Sequence, residues 1–254
     1  MKTVILAGGL GTRLGEETNT RPKPMVEIGD WPIIVHIMKI FSQYGHTNFL
    51  IACGYKSELI KNFFVDFKRL GGDLFVDLAS GQTEQLGVSP FQWRVGCIET
   101  GKNTLTGGRI LKMRKHIGNE AFMVTYGDGL GDINIDELLR FHRQHGKLAT
   151  VTAVRPPARF GALKLHGSSV TSFDEKMQSD AGWINGGFFV FEPEIFNLIK
   201  NDQTSLELEP MQKLVAKGEL KAYLHTGFWH PMDTIRDRDF LRELWLRGDA
   251  PWQN

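Results

Sequence analysis

Continuous apolar runs and helically spaced apolar stripes alternate along this chain in an order that predicts an α/β fold. Val4-Ile5-Leu6-Ala7 is an unbroken apolar run of strand length, the pattern of a strand buried on both faces. It empties into a glycine-rich stretch. After Pro32, Ile33, Ile34, Ile37, Met38, Phe41 and Tyr44 recur at helical spacing, and Gly45 is the stop. Residues 48–53 read as a second strand, and 57–67 as an amphipathic helix with Ser57 as its N-cap. A β–loop–α–β–α order is how parallel sheets with right-handed crossovers are built. Such sheets bind ligands beyond the carboxyl ends of their strands, which is where the glycine-rich stretch falls.

Residues 71–90 are turn-rich. A strand over 91–99 then leads through Thr100-Gly101 and Leu105-Thr106-Gly107-Gly108-Arg109 into a helix ending near His116. The apolar run from Ala121 ends in Tyr126-Gly127-Asp128-Gly129, and Ile135, Leu138, Leu139 and His142 form the inner stripe of the next helix. From Ala149 the pattern shifts toward strands, at 149–154, 162–165, 170–175 and 184–191. Helical segments at 194–200 and 206–216, a short strand at 220–224 and a last helix at 235–246 complete the chain.

At 254 residues the chain can bury a sizeable core. A formal net charge of +1 gives no reason to invoke nucleic acid or a membrane surface, so any positive potential must be local. Cys53 and Cys97 are far apart in sequence and suggest neither a disulfide framework nor a metal cluster. With no basic leader and no apolar run of membrane length, a cytoplasmic protein is expected.

The chemistry starts at Gly8-Gly9-Leu10-Gly11-Thr12-Arg13. Glycines here permit positive φ and close approach of bare N–H groups to a ligand. Arg13 and Lys23 add cations, and a guanidinium clamps phosphate oxygens in pairs. A polyphosphate suits this arrangement. The stretch is not a Rossmann fingerprint, because Leu14 stands where the third glycine belongs, and no Gly-Lys-Ser/Thr tripeptide occurs. Asp128, flanked by glycines at a strand end, has room to hold Mg²⁺ against phosphates, though Asp-Gly is also an ordinary turn. His142 and His145 lack a second cluster and read as a solvated or partly packed helix end rather than metal ligands.

Residues 6–14 together with Pro22-Lys23-Pro24-Met25 resemble the N-terminal motif of the sugar-1-phosphate nucleotidyltransferases, and the resemblance extends over nearly the whole chain. It implies a Rossmann-like, mostly parallel mixed β-sheet flanked by helices, with a smaller, β-rich sugar-binding part. It further implies one domain, with nucleotide bound by about 1–148, sugar by about 149–234, and a terminal helix at about 235–247. The nucleotide would be held by Leu6, Ala7, Gly8, Gly9, Leu10, Gly11, Thr12, Arg13, Lys23, Thr106, Arg109 and Asp128. Thr106 has an alternative as a helix-capping residue. Sugar phosphate would be held by Gly161, Glu175, Lys176, Asn185 and Gly186. Met177 departs from the family here by replacing a proline, which leaves the rigidity of that turn in doubt. Asp233 matches a second metal aspartate, with an N-cap as its alternative.

The reaction so implied is in-line, Mg²⁺-assisted attack of a sugar 1-phosphate on the α-phosphate of an NTP. Arg13 and Lys23 are its catalytic cations: Arg13 on the β- and γ-phosphates, Lys23 on the α-phosphate and the incoming phosphate. Segments 125–129, 185–190, 227–234 and 251–252 resemble members that use CTP and α-D-glucose 1-phosphate and serve surface-polysaccharide synthesis. The same reaction with dTTP or UTP stays open, as does a non-catalytic nucleotide-sugar sensor. Family members commonly form homo-oligomers, so one is expected here.

Overall fold

The computed structural model describes the chain apart from residues 12–13, 70–71, 87–90, 157–161, 167–168, 175–181 and 254, and apart from the side chains of 16, 68, 69, 85, 162–165, 170 and 172–174. In order, the first half contains β1 (Lys2–Ala7), α1 (Glu16–Thr20), β2 (Glu27–Ile28), β3 (Trp31–Pro32), α2 (Ile33–Ser42), β4 (Asn48–Cys53), α3 (Ser57–Arg69), β5 (Asp73–Val76), β6 (Thr83–Leu86), β7 (Arg94–Glu99) and α4 (Thr106–Ile117). The second contains β8 (Phe122–Tyr126), β9 (Gly129–Gly131), α5 (Ile135–His145), β10 (Ala149–Val154), β11 (Ala162–His166), β12 (Ser169–Asp174), β13 (Ile184–Phe191), α6 (Glu209–Ala216), β14 (Leu220–Leu224), β15 (Trp229–Pro231) and α7 (Ile235–Arg247).

A seven-stranded sheet ordered β14-β10-β13-β8-β1-β4-β7 forms the centre. β13 runs antiparallel to both its neighbours, and the other pairings are parallel. The expected mostly parallel mixed sheet is therefore present. Three strands of the stretch 149–234 belong to it, while β11 and β12 pair apart as a hairpin. Val4, Ile5, Phe49, Ile51, Met123 and Val124 are fully buried, because both faces of the central strands are covered. On one face α2 packs through Ile33, Ile34, Ile37 and Phe41; on the other, α4 packs through Ile110 and Met113.

From β1 the sheet grows outward through β4 and β7 on one side and through β8 on the other. The β1/β8 boundary is thus a topological switch point, where the chain leaves a crevice at the carboxyl ends of the strands. The glycine loop follows β1 and Asp128 follows β8, so both open into that crevice.

Local details differ from the pattern-based reading for identifiable reasons. Ser57 lies inside α3, and its hydroxyl donates to Glu99 Oε1 (2.6 Å) instead of capping. The segment at 194–200 is a 3₁₀ turn, Pro193–Leu198, and α6 starts at Glu209 with Pro210 in its first turn. His142 is buried rather than solvated. Its Nδ1 lies 2.8 Å from Thr150 Oγ1 and its Nε2 3.3 Å from Glu192 Oε1. Cys53 and Cys97, distant in sequence, sit on the adjacent strands β4 and β7 as free thiols.

Candidate active site

β1 ends at Ala7 because the next residues must leave the sheet with backbone exposed. The Gly8 carbonyl accepts from Tyr55 N (3.2 Å) and from Arg109 Nη2 (2.9 Å). A Cβ on Gly8 would stand 2.0 Å from Arg109 Nη1, so only glycine lets this guanidinium lie under the loop. Gly11, at φ 65°, turns the chain back toward Lys23.

Lys23 opens a 3₁₀ turn, Lys23–Met25, anchored by buried Pro24 and Met25. That turn rests on the end of β8. A Cβ on Gly127 would lie 3.0 Å from Pro24 Cγ and 2.9 Å from the Leu6 carbonyl, so this glycine sets how closely Lys23 approaches Asp128.

Asp233 reaches the same place by a different route. β9 and β15 form a short antiparallel ladder, with Gly129 opposite Pro231, and Met232 N donates to the Asp128 carbonyl at 2.7 Å. The chain then enters α7, whose N-cap is Thr234. Thr234 Oγ1 accepts from Asp237 N (3.2 Å), and Asp237 Oδ2 accepts from Thr234 N (2.8 Å). This capping box occupies the end of α7 and removes the alternative role for Asp233. Its carboxylate points into the crevice instead.

The three side chains converge. Lys23 Nζ donates to Asp128 Oδ2 at 2.6 Å and to Asp233 Oδ1 at 2.7 Å. Burial alone would lower the Lys23 pKa, but the charge and hydrogen bonds of the two carboxylates outweigh it and raise the pKa above the usual lysine value. Lys23 is therefore a cation held between two anions, with 13% of its side chain exposed. An ammonium bridging two carboxylates marks a point of concentrated negative charge where a divalent cation fits. Magnesium asks for one or two protein carboxylates and takes its remaining ligands from water and phosphate. Among the described residues no cluster of three or more His, Cys, Asp and Glu side chains converges anywhere, so this pair is not a closed, all-protein metal cage.

The crevice encloses about 720 Å³, within the range of small-molecule sites, and runs from this triad past Leu6, Ala7, Gly8, Gly9 and Gly11 to Thr106, Arg109 and Glu207. Leu10 stands outside it, exposed at the loop tip. Arg109 is 4% exposed, and its guanidinium donates to Gly8 O, Gly101 O (2.9 Å) and Thr100 Oγ1 (2.5 Å). It acts as a clamp on the backbone that shapes the crevice as well as a wall of it. The Thr106 hydroxyl does not cap α4, whose N-cap is Leu105. It donates to Glu207 Oε2 at 2.6 Å and accepts from Leu206 N at 2.9 Å.

On the β13 side, Asn185 Nδ2 donates to Tyr126 Oη (3.2 Å), and the Gly186 carbonyl accepts from Trp229 Nε1 (2.8 Å). A Cβ on Gly186 would meet Val154 Cγ1 at 2.6 Å, so this strand crosses β10 too closely for a side chain there. Thr12, Arg13, Gly161, Glu175 and Lys176, with Met177, lie outside the described residues. Glu207 was not singled out from sequence. Ser205-Leu206-Glu207 resembles any acidic helix start, and no spacing marks it.

Comparison with known proteins shows the family and the fold. The model of the nucleotidyl transferase family matches residues 2–237. The chain is 48% identical to the glucose-1-phosphate cytidylyltransferase of Salmonella typhimurium, over 100% of this chain and 99% of that one. It is 43% identical to a probable glucose-1-phosphate cytidylyltransferase of Bacillus subtilis, with the same coverage. Among solved structures, HddC from Yersinia pseudotuberculosis superposes with a TM-score of 0.71 at 24% identity, covering 96% of this chain and 99% of that one. UDP-glucose pyrophosphorylase complexed with UDP-glucose gives 0.68 at 17% identity, covering 97% and 98%. These two likenesses bear on the fold. With the family match spanning most of the chain and full-length relatives at this identity, the chain belongs to the nucleotidyl transferase family.

Proposed function

We infer that this chain transfers a cytidylyl group from CTP to α-D-glucose 1-phosphate, forming CDP-glucose and releasing pyrophosphate. Full-length identity of 43–48% to cytidylyltransferases supports the choice of substrates. The observation that carries the chemistry is the Lys23 ammonium between Asp128 and Asp233 beside a glycine loop.

A phosphate oxygen of the sugar phosphate forms a bond to the α-phosphorus, and the bond from that phosphorus to the bridging α–β oxygen breaks in line. The nucleophile is already anionic, so no covalent enzyme intermediate is needed. The protein's task is to bring two polyanions together and to stabilise charge on the α-phosphate. Orientation contributes roughly 7–11 kcal/mol in favourable cases, and one preorganised cation or donor about 3–4 kcal/mol more. Lys23 serves the α-phosphate and the incoming phosphate; Arg13 and the backbone of residues 8–12 serve the β- and γ-phosphates. Asp128 and Asp233 would hold Mg²⁺, which when bound neutralises triphosphate charge and eases departure of pyrophosphate. Leu6, Ala7, Thr106 and Arg109 line the crevice and would serve the nucleotide, and Gly161, Glu175, Lys176, Asn185 and Gly186 would bind the sugar phosphate. Residues 1–148 would then serve chiefly the nucleotide and 149–234 the sugar phosphate. Assembly of several copies in the cytoplasm belongs to the same reading; no helix among the described residues is long and apolar enough to cross a membrane.

Pyrophosphate release measured across four NTPs and several sugar 1-phosphates tests this. CTP with glucose 1-phosphate is expected to be the fastest pair. Faster release with dTTP or UTP would reassign the base, and no release with any pair would favour a regulatory nucleotide-sugar binder.

A further inference from the structure

Glu207 is an acidic side chain in the crevice, separate from the Asp128/Asp233 pair. Three hydroxyls from three places in the fold point at it. Thr106, at the start of α4, and Ser205 each donate to Oε2 at 2.6 Å, and Tyr126, at the end of β8, donates to Oε1 at 2.7 Å. Asn185 on β13 donates in turn to the Tyr126 oxygen, so the carboxylate heads a chain that runs from the nucleotide end of the crevice to the sugar end.

The carboxylate is kept ionised. Burial pushes its pKa up, and the Ser205, Thr106 and Tyr126 hydroxyls together bring it below the usual value. Tyr126 is held the other way, with burial and then the Glu207 charge raising its pKa, so it stays a phenol that donates. Donors preorganised around an exposed anion fix its direction without neutralising it. A carboxylate accepts about four hydrogen bonds, and among the described residues Tyr126 is the one side chain that donates to Oε1. Glu207 itself is exposed to the crevice.

The substrates decide what this anion can meet. Their phosphates are repelled by it and belong near Lys23. Tyr126 ends β8 two residues before Asp128, and its hydroxyl rather than the Lys23 ammonium is what Glu207 Oε1 meets. A metal ion is a poor partner for oxygens already turned toward three hydroxyl donors. The neutral donors that remain on a nucleotide and a hexose are chiefly sugar hydroxyls.

We propose that Glu207 recognises a sugar hydroxyl of the bound substrates, its Oε1 accepting a charge-assisted hydrogen bond from that hydroxyl. This rests on the reading of the crevice as a site for a nucleotide and a sugar. The hydroxyl comes either from the ribose or from the hexose, and one ligand, CDP-glucose, carries both.

The test is equilibrium binding of CDP-glucose and of its analogues lacking a single hydroxyl on the ribose or on the glucose. In the unmodified protein, one analogue is expected to bind about 10- to 100-fold more weakly, the worth of one hydrogen bond to a charged acceptor. In Glu207→Ala that penalty should fall to roughly threefold or less, with Glu207→Gln intermediate because its amide is neutral. The analogue that shows the effect assigns the hydroxyl to ribose or hexose. A merely structural Glu207 would weaken every ligand by the same factor and leave the ratios unchanged, which overturns the proposal. If Glu207→Ala melts early, Glu207→Gln, close in shape, carries the same comparison of ratios. Because binding is read and not turnover, a protein that binds CDP-glucose but releases no pyrophosphate would sink the transferase reading and leave the Glu207 result standing.

Discussion

Met232 donates its backbone N–H to the carbonyl of Asp128 at 2.7 Å, and that bond sets where the next residue, Asp233, can place its carboxylate. It extends the β9–β15 ladder just far enough to bring two aspartates that are distant in sequence onto one ammonium. The active-site charge is thus positioned by backbone pairing and not by flexible side chains, which favours a preorganised site.

Lys23→Ala is expected to fold and to lose roughly 10²-fold or more in kcat, the usual effect of removing one preorganised charge. It also removes the ammonium that Asp128 and Asp233 share. Its melting temperature should then respond to millimolar Mg²⁺ more strongly than that of the unmodified protein, since binding to the folded state alone stabilises it. Near-normal turnover, together with Mg²⁺-independent melting in the variant, would contradict both roles.

Gly8→Ala tests the clamp under the loop. The added methyl would sit 2.0 Å from Arg109 Nη1 and 2.2 Å from its Cζ, in a guanidinium tied to Gly8 O, Gly101 O and Thr100 Oγ1. Something must move, at a cost of about 1–3 kcal/mol. Denaturant unfolding should show that loss, and CTP titration a weakened affinity. An unchanged midpoint with unchanged CTP binding would mean that the guanidinium is not held as described.

His36 predicts an acid limb. It is fully buried, with Nε2 2.8 Å from the Ile28 carbonyl and Nδ1 accepting from Trp252 Nε1 at 3.2 Å. Burial lowers its pKa from 6.5 to about 4. The folded state therefore binds fewer protons than the unfolded chain between these values. Stability from this site is complete above pH 6.5 and falls by about 3 kcal/mol as pH drops to 4. Unfolding free energy plotted against pH should show that slope, and His36→Gln should shallow it by about one proton. The same slope in both proteins would contradict the assignment.

Much of the architecture was legible because the deciding signals are local. β4, β10, β13 and β14 have the boundaries that the sequence pattern predicts, and Gly45, at φ 78°, follows α2 as its conformational freedom allows. The glycine loop and Asp128 stood out for the same reason. What was not legible depends on distant partners. The β9 and β15 segments are three residues each, too short for any periodicity, yet they join Asp128 to Asp233. Arg109 has the residue type of a phosphate ligand but faces backbone carbonyls, which only the packing of α4 against β1 and β4 reveals. Glu207 gains its meaning from Thr106 and Tyr126, neither of them near it in sequence. The spacing of His142 placed it on the inner stripe of its helix, but its partners Thr150 and Glu192 come from outside that helix and carry no local signal.

The direct test is a crystal structure with CTP and Mg²⁺ bound. The α-phosphate is expected within about 3 Å of Lys23 Nζ, with the metal ion on Asp128 and Asp233 and the triphosphate along residues 8–11. A nucleotide bound elsewhere, with Lys23 still bridging both aspartates, would contradict the account.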